Sequence, residues 1–230
     1  MSIDPSRTVA ELMLEQPARA RVFEELGLDY CCGGKRSLTD ACAARGVDTA
    51  TALAGLAAVT GAPASHGETT DWREAPLAEL CDHIAGVHHA RLREELPRLD
   101  GLIATILRVH GDDRPELEQV QTTFVELRSE LEEHMTAEEE RLFPLCRSGA
   151  ALDAGAIELL EDEHQAAGDA LEQLRALTDG FDAGQALCNT HRATLDGLRE
   201  FELDLHQHIH EENNVLFPRV LGLQPGAAAA

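Results

Sequence analysis

Apolar residues recur every three or four positions along most of the chain, the spacing that lines up one face of an α-helix. Four long stretches carry it, at about 76 to 110, 114 to 147, 153 to 178 and 186 to 221. Turn formers separate them at Gly111-Asp-Asp-Arg-Pro115, Ser148-Gly149 and Thr178-Asp-Gly180. Long helices with short connections predict an up-down-up-down four-helix bundle. Pro97 falls inside the first stretch, where its ring and missing N–H predict a kink or a split. Ahead of the bundle the periods are shorter. Thr8 is placed to cap a helix carrying Val9, Leu12 and Met13, and Phe23 and Leu26 continue an apolar face in a second helix closed by Gly27. Asp29-Tyr-Cys-Cys-Gly-Gly34 reads as a tight loop, Ser37 as the next cap, and an Ala-rich helix ends near Thr60. From Thr60 to Thr70 the chain has turn formers and no period. The expected division is a small helical Cys-Cys domain at 1–60, a linker at 61–72, the bundle at 73–222 and a flexible tail at 223–230.

Composition agrees with this all-α reading. Only 3% of residues are aromatic, and runs of Ala, Leu, Glu and Arg favour helix over strand. The net charge of −23 is concentrated after residue 60, where 34 acidic side chains face 13 basic ones, against 8 and 6 before it. Such a surface repels phosphate, so nucleic acid is not an expected partner. No apolar run approaches the ~20 residues that a membrane span needs, and the N-terminus carries no signal-peptide pattern, so a cytoplasmic protein away from membranes is expected. Without a secretion signal, the six cysteines read as thiols or redox groups. Cys42, Cys81, Cys146 and Cys188 are expected to be ordinary buried thiols. Cys31 and Cys32 stand apart because they are adjacent, and a disulfide between neighbours is strained and easily reduced. A redox or transfer role is the functional reading of that pair.

The chemistry lies in an internal repeat. His134-Met-Thr-Ala-Glu138-Glu-Glu-Arg-Leu142-Phe143-Pro144 and His208-Ile-His-Glu-Glu212-Asn-Asn-Val-Leu216-Phe217-Pro218 share His, Glu and Leu-Phe-Pro in identical register, 74 positions apart. A further histidine precedes each by nearly the same distance: His89, or its neighbour His88, before His134, and His164 before His208. On a helix, residues i and i+4 share a face, so His134 with Glu138, and His208 with Glu212, can point at one site. Two such pairs and two lone histidines make six ligands. With both carboxylates bridging two metals, and an oxide or hydroxide between them, each metal receives five ligands and keeps one position open. Imidazole and carboxylate without thiolate suit iron, manganese or zinc; two-metal carboxylate sites in four-helix bundles are established for iron and manganese, and iron is preferred by that analogy. Glu130, one turn before His134, and Glu163, next to His164, are placed to orient a ligand or to guide iron and protons. His83, His110, His191, His206 and His210 have no repeat partner and read as surface or supporting residues.

Asp29-Tyr-Cys31-Cys32-Gly-Gly-Lys35, Asp71-Trp72, the Leu96-Pro97 segment after His89, Glu161-Asp-Glu-His164 and Glu212-Asn-Asn-Val-Leu-Phe-Pro218 recur together in one family. Over nearly its whole length the chain resembles the di-iron iron-sulfur cluster repair proteins, the repair of iron centres family, whose C-terminal domain is hemerythrin-like. The resemblance implies that His89 is the ligand of the adjacent pair, with His88 beside the site. It implies a di-iron centre held by His89, His134, Glu138, His164, His208 and Glu212, the glutamates bridging. It also implies damaged iron-sulfur proteins as partners, under nitrosative or oxidative stress, and nitric oxide or oxygen as small ligands. Two activities are implied without a choice between them: supply of iron to damaged clusters, and reduction of nitric oxide to nitrous oxide. A reversible binder or sensor of nitric oxide or oxygen is the third reading, and the four-histidine set counts against oxygen carriage, for which hemerythrin-type carriers use five. Helix patterning leaves room for a homodimer.

Overall fold

The computed structural model describes residues 3–59, 70–150 and 152–222, so most of the expected linker and all of the expected tail lie outside the described residues. Among the described residues the regular elements are helical: α1 (Val9–Glu15), α2 (Ala20–Leu26), α3 (Leu38–Arg45), α4 (Thr49–Ala58), α5 (Leu77–His83), α6 (Ala90–His110), α7 (Glu116–Ala137), α8 (Phe143–Ser148), α9 (Ala154–Leu177), α10 (Asn189–Glu211) and α11 (Phe217–Val220). The chain forms two compact units, Met1–Leu80 with His206–Ala230, and Cys81–Leu205.

In the first unit the expected caps are present. Thr8 Oγ1 accepts the Glu11 N–H at 3.1 Å while Glu11 Oε2 accepts the Thr8 N–H at 3.1 Å, which satisfies two amide groups that the start of α1 would otherwise leave exposed. Ser37 Oγ accepts the Asp40 N–H to open α3, and Gly27, at φ 63°, closes α2. Val9, Leu12, Met13, Phe23, Leu28, Tyr30, Leu38, Cys42 and Leu56 form the core under these short helices. Full burial contributes about 1.5–3 kcal/mol for each large apolar side chain. The C-terminal segment belongs to the same unit. His206 pairs with Glu24 at 2.8 Å, the Tyr30 ring meets the His210 ring edge-on at 5.6 Å, and Arg219 donates to the carbonyls of Trp72 and Ala75, both at 2.6 Å.

The second unit is a helical bundle whose seam follows the sequence period. Leu92, Leu96, Leu99, Ile103 and Ile106 on α6, and Leu117, Val120, Phe124, Leu127 and Leu131 on α7, are buried at alternating steps of three and four. α7 packs against α6 and α9. The ring of Phe124 reaches Phe201 on α10 at 5.9 Å, and Arg175 on α9 pairs with the buried Glu202 on α10. Pro97 does not split α6, which runs unbroken from Ala90 to His110. It sits on the exposed side, where water can take the carbonyl that its ring leaves without an amide partner.

The breaks occur elsewhere. Three π-helical turns, Ile84–His89, Glu138–Leu142 and Glu212–Leu216, interrupt the long helices. Their extra residue per turn shows in bonds that reach back five residues: Ala90 N–H to Ala85, Phe143 N–H to Glu138 and Phe217 N–H to Glu212. In the last two, Pro144 and Pro218 follow at once. A proline cannot donate to the carbonyl four residues back and its ring crowds it, so the preceding turn opens.

Candidate metal centre

Each wide turn carries a residue of the repeat: His89 ends the first, Glu138 begins the second and Glu212 begins the third. The register found in the sequence is thus also a register of backbone shape, and π turns of this kind gather at functional sites.

In the Cys81–Leu205 unit four of the expected ligands come together. Glu138 and His89 are fully buried, and His164 and His134 nearly so. The Glu138 carboxylate lies 3.3 Å from His89 Nε2 and 3.5 Å from His134 Nε2, and His164 Nε2 is 3.0 Å from His134 Nε2. Donor atoms of His134, Glu138 and His164 all fall within 4.8 Å of one another. His89 rather than His88 faces this group, and the His88 ring instead packs edge-on against His83 at 5.3 Å. Both remote nitrogens are held by acids. His89 Nδ1 is 2.8 Å from Glu139 Oε1, and His134 Nδ1 is 2.6 Å from Glu163 Oε2. A carboxylate at Nδ1 fixes the proton there and leaves the Nε2 lone pair directed inward. Arg93 clamps Glu139 with two bonds, at 2.9 and 3.0 Å, and together with His89 holds its carboxyl below the usual range.

Glu163, which directly precedes His164 in sequence, thus meets His134. Glu130 is exposed on the rim of a cleft of about 820 Å³ between α7 and α9, with Glu133, Glu140, Asp162 and Glu163, and His134 and His164 line the same cleft. Glu139 was not legible as the partner of His89, because three consecutive acids follow Ala137 and only the wide turn shows which one meets that ring.

In the other unit His208 and Glu212 form the second pair, with Nε2 2.9 Å from Oε1 and both side chains buried. The Cys31-Cys32 loop lies on the residues between and after them. His210 Nδ1 donates to the Tyr30 carbonyl at 3.0 Å, and Asn214 Nδ2 donates to the Cys31 carbonyl at 3.0 Å. His210, expected at the surface or in support, is buried, and burial lowers its pKa. Gly34 is required here: a Cβ would stand 2.6 Å from the Tyr30 carbonyl and 3.0 Å from Asn214 Oδ1. Asp29 shapes the loop by accepting the N–H groups of Cys31, Cys32 and Gly33. The two sulfurs are 3.8 Å apart as thiols. The hydrogen bond to Cys32, then burial, then Asp29 push the Cys31 thiol up, so Cys31 keeps its proton and the half-buried Cys32 is the more accessible sulfur.

One expectation needs correction. Cys188 is exposed rather than buried, at the start of α10 with His110 Nε2 3.3 Å away, because the helix begins at the rim of the bundle. His191 and His83, read as surface or supporting residues, are both buried.

Two fully buried carboxylates among buried imidazoles are costly in a helical interior unless a cation accompanies them, and this donor set suits iron. Comparison with known proteins agrees. Residues 80–220 match the Hemerythrin HHE cation binding domain, and residues 5–60 match a domain of unknown function, DUF542. The chain belongs to the iron-sulfur cluster repair family built on that hemerythrin domain. It is 38% identical over 216 residues to "Iron-sulfur cluster repair protein YtfE" of Pectobacterium atrosepticum, covering 94% of this chain and 96% of that one. It is 40% identical over 215 residues to the protein of the same name from Escherichia coli O157:H7, covering 93% and 96%. Among the described residues no helix is long and apolar enough to cross a membrane.

Proposed function

We propose that this chain repairs damaged iron-sulfur clusters by supplying iron held by His89, His134, Glu138, His164, His208 and Glu212. The observation that carries the reading is the duplicated His-x-x-x-Glu turn, buried in both copies and each beginning a π turn at the glutamate. Two irons per chain, with the glutamates and an oxide or hydroxide bridging, is the stoichiometry we assign to the set. Bound ferrous ion would supply exchangeable metal and an open position for a small ligand such as nitric oxide or oxygen.

The residues around the set have separate tasks. Glu139 and Glu163 hold protons at Nδ1 of His89 and His134, which keeps each Nε2 available as a ligand. The acidic rim of the cleft attracts a cation, and His134 and His164 are the ligands that solvent reaches first. That route supports supply of iron over retention. Cys31 and Cys32 are assigned to redox or transfer work, supported by their place on His210 and Asn214, either side of Glu212 in sequence. We assign residues 1–60 to this work and residues 73–222 to metal binding, in a cytoplasmic setting where clusters and reduced thiols coexist; a homodimer is compatible with both.

The test is anaerobic incubation of the iron-loaded chain with a hydro-lyase whose [4Fe–4S] cluster has been damaged by nitric oxide. Regain of hydro-lyase activity, matched by iron lost from the donor and absent with His134→Ala or His208→Ala, is the expected result. Steady conversion of nitric oxide to nitrous oxide with iron retained, and no regain of activity, would overturn supply in favour of reduction.

A further inference from the structure

Besides Cys31 and Cys32, the chain holds a second thiol pair that the metal site does not use. Cys81 on α5 and Cys146 on α8 are buried within one unit, at 0% and 5% exposure, with their thiols in hydrogen-bonding contact. Two contacts bracket them. Arg147 Nη2 meets Asp82 Oδ1 at 2.6 Å on one side, and the Phe143 ring stacks on the His89 ring at 5.6 Å on the other. The Asp82–Arg147 pair is exposed and contributes little energy, but it shows that residues 82 and 147 stand side by side.

The two thiols share one hydrogen bond, and the positive charge of Arg147 favours the thiolate of either one. A thiolate is the nucleophile in sulfur oxidation, and its neighbour is already in place to resolve the product.

We propose that Cys81 and Cys146 are a dithiol modification site, oxidised by hydroperoxides to a disulfide that ties α5 to α8. The thiolate of one cysteine attacks the peroxide O–O bond and becomes a sulfenic acid; the oxygen that leaves takes up the proton that this thiol lost and departs as the alcohol, or as water from hydrogen peroxide. The sulfur of the other cysteine then attacks the sulfenic sulfur, forming the S–S bond; the leaving hydroxide takes the second thiol's proton and departs as water. Two thiols lose two electrons and two hydrogens, and one peroxide is reduced. His89 lies eight residues after Cys81 and Glu138 eight residues before Cys146, so the bond would link the segments that flank two metal ligands.

The experiment uses the full chain, as purified and after removal of metal by a chelator, treated with hydrogen peroxide, alkylated and digested with trypsin without reduction. A peptide joining residues 74–91 to residues 142–147 is expected in both samples, lost on reduction and missing from Cys81→Ser and Cys146→Ser. In the metal-free chain the Tm should rise by about 5–10 °C on oxidation, a shift that either serine variant abolishes. Recovery of both peptides as alkylated thiols or as sulfinic acids, or linkage of either only to another cysteine, would overturn the proposal, as would a linked peptide confined to the metal-containing sample.

Discussion

Replacing Glu139 by glutamine isolates the part of the site that the wide turn creates. The carboxylate is 2.8 Å from His89 Nδ1 and is itself gripped by Arg93. Glutamine keeps the size and one acceptor oxygen but removes the charge, and a charge-assisted bond is roughly twice as strong as a neutral one. Losing such a holder of a metal-bound histidine typically lowers metal affinity about 10–100-fold, which is about 1.4–2.8 kcal/mol. Because an acceptor survives, Glu139→Gln should fall near the tenfold end. The assay is anaerobic competition for ferrous ion against a chromophoric chelator, with Glu140→Gln as control. That variant removes the same charge one residue away, from an exposed side chain on the cleft rim. Unchanged affinity in Glu139→Gln, or equal weakening in both variants, would refute the argument and leave only a general effect of charge.

Other expectations follow from single contacts. Thr8→Ala removes one half of the α1 capping box and should lower stability by about 0.5–2 kcal/mol in urea unfolding; an unchanged midpoint would contradict it. Asn214→Ala releases the Cys31 carbonyl and should speed alkylation of Cys31, whose rate would stay constant if the asparagine did not hold the loop. His191 is buried, and its pKa is lowered first by burial and then by Arg114 and His110. Its unfolded form binds the proton more readily, so its contribution is present above the ordinary value of 6.5 and is lost as pH falls through the lower folded value. His191→Gln should flatten this part of the stability profile, and an identical acid limb would show that another group dominates.

Much of this fold was legible because its signals are local. Periods of three and four gave the long helices, and Thr8, Gly27 and Ser37 marked ends of the short ones through capping that depends on neighbours in sequence. The His-x-x-x-Glu turns were legible as a repeat, since duplication preserves register. The π turns were not: two of them precede Pro144 and Pro218, whose rings crowd the backbone behind, but Pro97 in a similar sequence setting leaves α6 whole, and the turn at Ile84–His89 has no proline directly after it. Exposure of Cys188 and burial of His191 depend on where α10 starts at the rim, which periodicity does not specify. Contacts distant in sequence, Glu139 with His89 and Asn214 with Cys31, carry no period at all. Their residues could be seen, but their tasks follow only from which elements meet.

The central claim is that the duplicated turns hold metal, and elemental analysis of the full chain tests it most directly. Protein purified without added metal, or reconstituted anaerobically with ferrous ion, should contain two irons per chain, with oxo-bridge absorption that bleaches on reduction. His134→Ala and His208→Ala should each lose iron while His191→Ala keeps it. Equal iron in all three variants, or none in the unaltered chain after reconstitution, would contradict the account.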